Sequence, residues 1–184
     1  MFYTSYQHFL SMITIISGTN RPASNTLKVA KYYQKELVKK GLETNLLNLQ
    51  DLPETLIGSD LYGKRSEAFQ KIQDLVSATT KFLFVIPEYN GSFPGVLKVF
   101  IDACAFPESF YDKKACLVGI SSGKYGNIRG IEHFNGVCAY LHLNVMPLRL
   151  HIASIKTELD QQEGFFKEDT LQFVNQQIGK FINY

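Results

Sequence analysis

Lys81-Phe82-Leu83-Phe84-Val85-Ile86-Pro87-Glu88-Tyr89-Asn90-Gly91-Ser92-Phe93-Pro94-Gly95 is the stretch that decides the fold. It opens as a short apolar run rich in β-formers, the pattern of a buried strand. It then breaks into two prolines, two glycines, a carboxylate, an amide and two aromatics. From residue 96 an apolar pattern resumes at helical spacing and predicts a helix over about 96–106. A strand that ends in so constrained a loop before a helix is where open α/β sheets bind ligands. The loop offers backbone N–H groups and flat side chains but no nucleophile, which suits holding a flat ring.

The same alternation extends in both directions. Strands are predicted at Met12–Ile16, Leu42–Leu49, Phe82–Ile86, Ala115–Ile120 and about 144–150. Helices fall between them: Leu27 to Val38 with Gly41 as a stop signal, Ser66 to Ala78, about 96–106, about 130–142, and a last one over about 165–181. Residues 50–63 read as a long connection. Residues 1–11 read as an N-terminal extension, and 12–184 as one domain. Five βα units imply an α/β three-layer sandwich with a parallel sheet covered on both faces. The chosen topology is flavodoxin-like, strand order 2-1-3-4-5, with the switch point between strands one and three.

Composition excludes several classes. A net charge of +2, with no basic run beyond Lys39-Lys40 and Lys113-Lys114, gives no footprint for nucleic acid. No apolar run reaches the roughly 20 residues that span a bilayer. Cys104, Cys116 and Cys138 are odd in number and far apart, so buried thiols in a reducing cytoplasm are expected. None of the four histidines has metal spacing.

The loop after strand one, Ser17-Gly18-Thr19-Asn20-Arg21-Pro22-Ala23-Ser24-Asn25-Thr26, runs into a helix. A helix N-terminus presents unpaired N–H groups and partial positive charge, for which phosphate is a natural ligand. Thr19, Ser24, Asn25 and Thr26 add short donors, and Arg21 adds a charged fork. Ser24 or Asn25 alone also reads as an ordinary helix cap. There is neither a G-x-x-x-x-G-K-[ST] loop nor a G-x-G-x-x-G fingerprint. One phosphate without an obligate metal is implied, and flavin mononucleotide (FMN) fits: one phosphate, one polar chain, one flat ring.

With these residues in place, the chain resembles the NAD(P)H-dependent FMN reductase family over about residues 12–150. The family's first loop, roughly G-S-x-R-x-x-S-x-N, appears as Gly18 to Thr26. Its second, P-E-Y-N-x-S-x-P-G-x-L-K-N-A-I-D, is matched by Pro87 through Gly95, Leu97-Lys98 and Ile101-Asp102. The resemblance implies that Thr19, Arg21, Ser24, Asn25 and Thr26 bind the FMN phosphate. It implies that Pro87, Glu88, Tyr89, Asn90 and Gly91 line the isoalloxazine, and that Ser121, Ser122 and Gly123 close the other side. It also implies a homodimer or homotetramer, NADPH or NADH as co-substrate, and a small acceptor: a quinone, free flavin, azo or nitro compound. The sequence departs from the family pattern at Val99-Phe100, at Ala103, and at Gly126-Asn127, where a G-G pair is common. Three other readings compete: a flavodoxin-type electron carrier that is not an enzyme, a phosphoacceptor receiver domain, and a small Cys phosphatase. The last two lack their motifs, since Ser17-Gly18 and Pro87 replace the acidic residues of a receiver and the first loop has no cysteine.

Overall fold

A computed structural model describes residues 12–62, 64–160, 164–165 and 167–184. The expected extension at 1–11 lies outside them. The strands are β1 (Ile13–Ser17), β2 (Thr44–Asn48), β3 (Lys81–Pro87), β4 (Lys114–Ile120), β5 (Asn144–Val145) and β6 (Leu150–Ile152). The helices are α1 (Asn25–Lys39), α2 (Glu67–Ala78), α3 (Gly95–Ala103), α4 (Ile128–Tyr140) and α5 (Glu168–Asn183). All sheet pairings are parallel, in the order β2-β1-β3-β4-β5, with β6 also beside β4. This is the flavodoxin-like arrangement expected from the alternation.

Strand periodicity sorts the core into two layers. Phe82, Phe84 and Ile86 of β3 point to one side, where they meet Phe69 and Val76 of α2, Phe100 of α3 and Phe134 of α4. Leu83 and Val85 point to the other, against Val29 and Tyr33 of α1 and Val174 and Ile178 of α5. Cys104 and Cys138 sit in the first layer and Cys116 in the second, all free and buried. Burial pushes the Cys104 and Cys138 thiols up to about 12, so neither is a nucleophile near neutral pH.

The predicted fifth strand is corrected: it is two short pieces, β5 and β6. Pro147 has no N–H to give to β4. The break exposes the Leu117 carbonyl of β4 and the Leu148 carbonyl of the connecting segment. Gln177 of α5 satisfies both, donating to Leu117 O (3.1 Å) and Leu148 O (3.0 Å), while its own oxygen accepts from Tyr33 Oη (2.7 Å). The 50–63 connection is also more ordered than expected, with a 3-10 turn at Leu49–Asp51 and a π turn at Leu56–Asp60. Buried Asp60 accepts from Ser66 N (2.5 Å) and Thr55 Oγ1 (2.7 Å). Burial alone raises its pKa, but these bonds and Arg65 outweigh it and hold the carboxyl below its ordinary value.

Lys113 closes the far end of α2, donating to Val76 O (2.9 Å) and Ser77 O (2.8 Å). Burial pulls its pKa down to about 8, from an ordinary value of 10.5. Charging the amine in the folded chain therefore opposes folding below about pH 8, and that opposition lifts as pH rises toward 10.5. Urea denaturation of the wild type and Lys113→Met at pH 7.5 and 9.5 is expected to show the wild type gaining stability relative to the variant at the higher pH. A relative loss would reverse the assignment.

Candidate functional site

The carboxyl ends of β1, β3 and β4 meet at the point where the strand order reverses. The backbone draws their loops together: Gly18 N donates to Val85 O (2.9 Å), Glu88 N to Ile120 O (3.0 Å) and Ser121 N to Ile152 O (3.0 Å). Gly18 is required there, since a Cβ would lie 2.8 Å from Val85 O. Across the loops, Thr19 Oγ1 and Tyr89 Oη share a hydrogen bond of 2.9 Å. Tyr89 thus ties the first loop to the second.

Between these loops lies an open cleft of about 510 Å³, within the usual range for small-ligand sites. Thr19, Arg21, Ser24, Asn25 and Thr26 line one end, and Pro87, Glu88, Tyr89, Ser121 and Ser122 the rest. Ser24 is the N-cap of α1, its Oγ accepting from Leu27 N (3.2 Å) while its carbonyl accepts from Lys28 N (3.3 Å). The N–H groups of Asn25 and Thr26 open the helix without an intrahelical partner. Among the described residues, the Arg21 guanidinium has no partner either. Two unclaimed backbone donors, several hydroxyls and a free cation at a positive helix end fit a phosphate. The walls of Pro87, Tyr89 and Ile120 fit a flat ring.

Three expected site residues, Asn90, Gly91 and Gly123, are not among those that line this cleft. Asn90 and Gly91 have φ values of 51° and 76°. They form the tip of a two-residue hairpin whose base is Tyr89 N to Ser92 O (2.9 Å) and Ser92 N to Tyr89 O (3.0 Å). Asn-Gly is the favoured pair for such a turn. The pair forms the turn of the loop that carries Tyr89. The Gly123 carbonyl accepts from Ser121 Oγ (2.9 Å) and Ser154 N (2.8 Å). The Ser121 hydroxyl accepts in turn from Gly126 N (2.9 Å). It fastens its own loop rather than offering a free donor.

Ile155 and Lys156, which the sequence did not mark, also line the cleft. They sit in a 3-10 turn after β6, anchored by Ile155 N donating to Ser121 O (2.9 Å). No motif marks them. Only the broken fifth strand brings that turn to the carboxyl end of the sheet. The Gly126-Asn127 departure also gains a reason. Asn127 has φ 63°, a conformation that glycine or asparagine tolerates best, and its Nδ2 donates to Ile86 O (3.0 Å). Asparagine supplies the required backbone and ties the third loop to β3. His133, beside that loop, shares a 2.9 Å hydrogen bond through Nδ1 with Ser92 Oγ.

Fold and cleft together define a flavodoxin-like protein built for a phosphorylated, flat ligand. The chain belongs to the NADPH-dependent FMN reductase family, whose model matches residues 11–157. It is 29% identical over 148 residues to an NAD(P)H-dependent FMN reductase of Pseudomonas aeruginosa, spanning 77% of this chain and 78% of that one. It is 26% identical over 173 residues to a 2-hydroxy-1,4-benzoquinone reductase of Burkholderia, spanning 92% and 93%. Among solved structures, the NAD(P)H:(acceptor) oxidoreductase FerB of Paracoccus denitrificans superposes with a TM-score of 0.78 at 23% identity, over 95% of this chain and 96% of that one. A flavodoxin of Pseudomonas aeruginosa superposes less closely, with a TM-score of 0.62 at 17% identity over 92% and 98%. Both structural likenesses speak to fold. Family membership makes the protein an NAD(P)H-dependent flavin oxidoreductase that uses FMN and a small-molecule acceptor, rather than a pure electron carrier. No described helix is long and apolar enough to cross a membrane, and no described cluster of His, Cys, Asp or Glu is arranged to hold a metal.

Proposed function

We infer that the protein oxidises NAD(P)H and reduces a quinone, with FMN seated in the cleft between the first three ligand-facing loops. The observation that carries this reading is the convergence of Arg21 and the unclaimed Asn25 and Thr26 N–H groups with Pro87–Tyr89 in that one cleft. Arg21, Lys156 and the start of α1 hold the phosphate. Ser122, Pro87 and Tyr89 bound the ring, and Thr19 keeps Tyr89 in place. A bound FMN supplies two-electron carriage between nicotinamide and acceptor. The protein contributes position, and no side chain serves as nucleophile. The overall reaction balances: NAD(P)H provides hydride, solvent provides a proton, and the quinone leaves as hydroquinone. The quinone is favoured over a free flavin, azo or nitro acceptor by the quinone reductases among the relatives.

The protein works as a homodimer or homotetramer in the cytoplasm. Exposed aromatic surface at Phe106 and Tyr140 supports the assembly, and three unpaired buried thiols support the reducing compartment. Steady-state oxidation of NADPH and NADH with menadione tests the central reading. Turnover well above that of the same concentration of free FMN is expected, together with an oxidised-flavin absorption spectrum in the FMN-loaded protein. Turnover no greater than free FMN would overturn it.

A further inference from the structure

We propose that a second cleft, next to the first, receives the acceptor and favours quinones that carry an ionised oxygen, with Arg129 as the residue that selects them. This rests on the first cleft being the flavin site. The second cleft encloses about 340 Å³ and is lined by Glu88, Tyr125, Ile128 and Arg129. Glu88 belongs to the walls of both clefts, so a molecule in the second lies beside the ring-facing wall of the first.

The chemistry of these four side chains describes their ligand. Tyr125 is 70% exposed and Ile128 47% exposed. Two large apolar surfaces left open beside a ring site suit the face of a planar molecule. Arg129 has no acidic partner among the described residues. Other cations nearby do: Arg149 pairs with Glu132 on α4, and Lys98 with Asp102 on α3. Arg129 is exposed and extends toward the second loop. Its Nη1 lies over the hairpin tip, 3.8 Å from where a Cβ would stand on Gly91. That tip is held by its own backbone pair and by Ser92 Oγ to His133 Nδ1.

Glu88 and Arg129 face one small cleft without forming an ion pair with each other. A ligand with one anionic edge is therefore oriented, drawn to Arg129 and turned from the Glu88 carboxylate. A neutral quinone meets only the apolar faces. A hydroxyquinone, whose acidic hydroxyl is ionised near neutral pH, meets the guanidinium as well. Its reduction needs nothing further: hydride from NAD(P)H and a proton from solvent give the hydroquinone form.

Arg129→Met tests the assignment in the FMN-loaded, full-length protein. The ratio of kcat/KM for 2-hydroxy-1,4-naphthoquinone to kcat/KM for menadione is expected to fall by about ten- to a hundredfold, the scale of a charged hydrogen bond. A second measurement needs no turnover: titration of the oxidised holoprotein with 2-hydroxy-1,4-naphthoquinone, without nicotinamide, followed by the flavin spectrum. Its Kd is expected to weaken by a similar factor in Arg129→Met and to recover partly in Arg129→Lys. An unchanged selectivity ratio with an unchanged Kd would overturn the proposal. If the wild type turns over neither quinone, the reductase reading fails, and the titration alone decides the role of Arg129.

Discussion

Replacing Gly126 by valine is expected to destabilise the protein by about 3–5 kcal/mol, from backbone strain and overpacking acting together. Gly126 has φ 56° and is buried. A β-branched residue is among the least tolerant of that conformation. Space is refused as well. A Cβ would overlap the His151 carbonyl carbon and lie 2.7 Å from both His151 O and Ile152 N. Those are main-chain atoms of β6, paired to β4, so no side chain can rotate away to make room. The functional consequence follows from what Gly126 holds. Its N–H donates to Ser121 Oγ, which also bonds Gly123 O, so the loop carrying Ser121 and Ser122 loses its internal fastening.

Asn127→Gly makes the informative comparison. Glycine keeps the left-handed backbone at no steric cost but loses the bond from Nδ2 to Ile86 O. A loss of about 1 kcal/mol is expected, the net value of one hydrogen bond. Urea denaturation midpoints for the two variants should therefore differ widely. Gly126→Val unfolding near the wild-type midpoint would show that this loop shifts at little cost.

These neighbours also show what was legible in the sequence and what was not. The sheet order followed from strands and helices alternating, because right-handed crossovers leave few ways to wind five βα units. The β3 run and the cap at Ser24 were local signals, and both survive in the structure. The broken fifth strand was not local. Pro147 is a weak hint, but the residue that makes the break tolerable is Gln177, some 30 positions further on. Lys156 was invisible for the same reason, since its place in the cleft depends on that break. Asn90-Gly91 is legible as a hairpin turn as well as a ligand-facing pair, and the turn is what the backbone forms. Ser121 resembles a ligand donor in sequence, and only the fold shows that its hydroxyl is already engaged.

Arg21 and Lys156 carry the second large effect. Each alanine substitution is expected to weaken FMN binding by about 1.5–3 kcal/mol, the range for hydrogen bonds to charged groups. Neither cation has an acidic partner among the described residues, so neither loss is offset by freeing a carboxylate. Both line the cleft that the first residues of α1 also line. A phosphate-free ligand separates the part of FMN that the two cations sense. Riboflavin has the same ring and ribityl chain as FMN but no phosphate. Titration of apoprotein should therefore show the loss for FMN and almost none for riboflavin. In Arg21→Ala/Lys156→Ala the combined loss should differ from the sum of the two single losses, because two cations on one phosphate are coupled. Simple additivity would place the cations on different groups. An equal loss for riboflavin and FMN would move both residues from the phosphate to the ring.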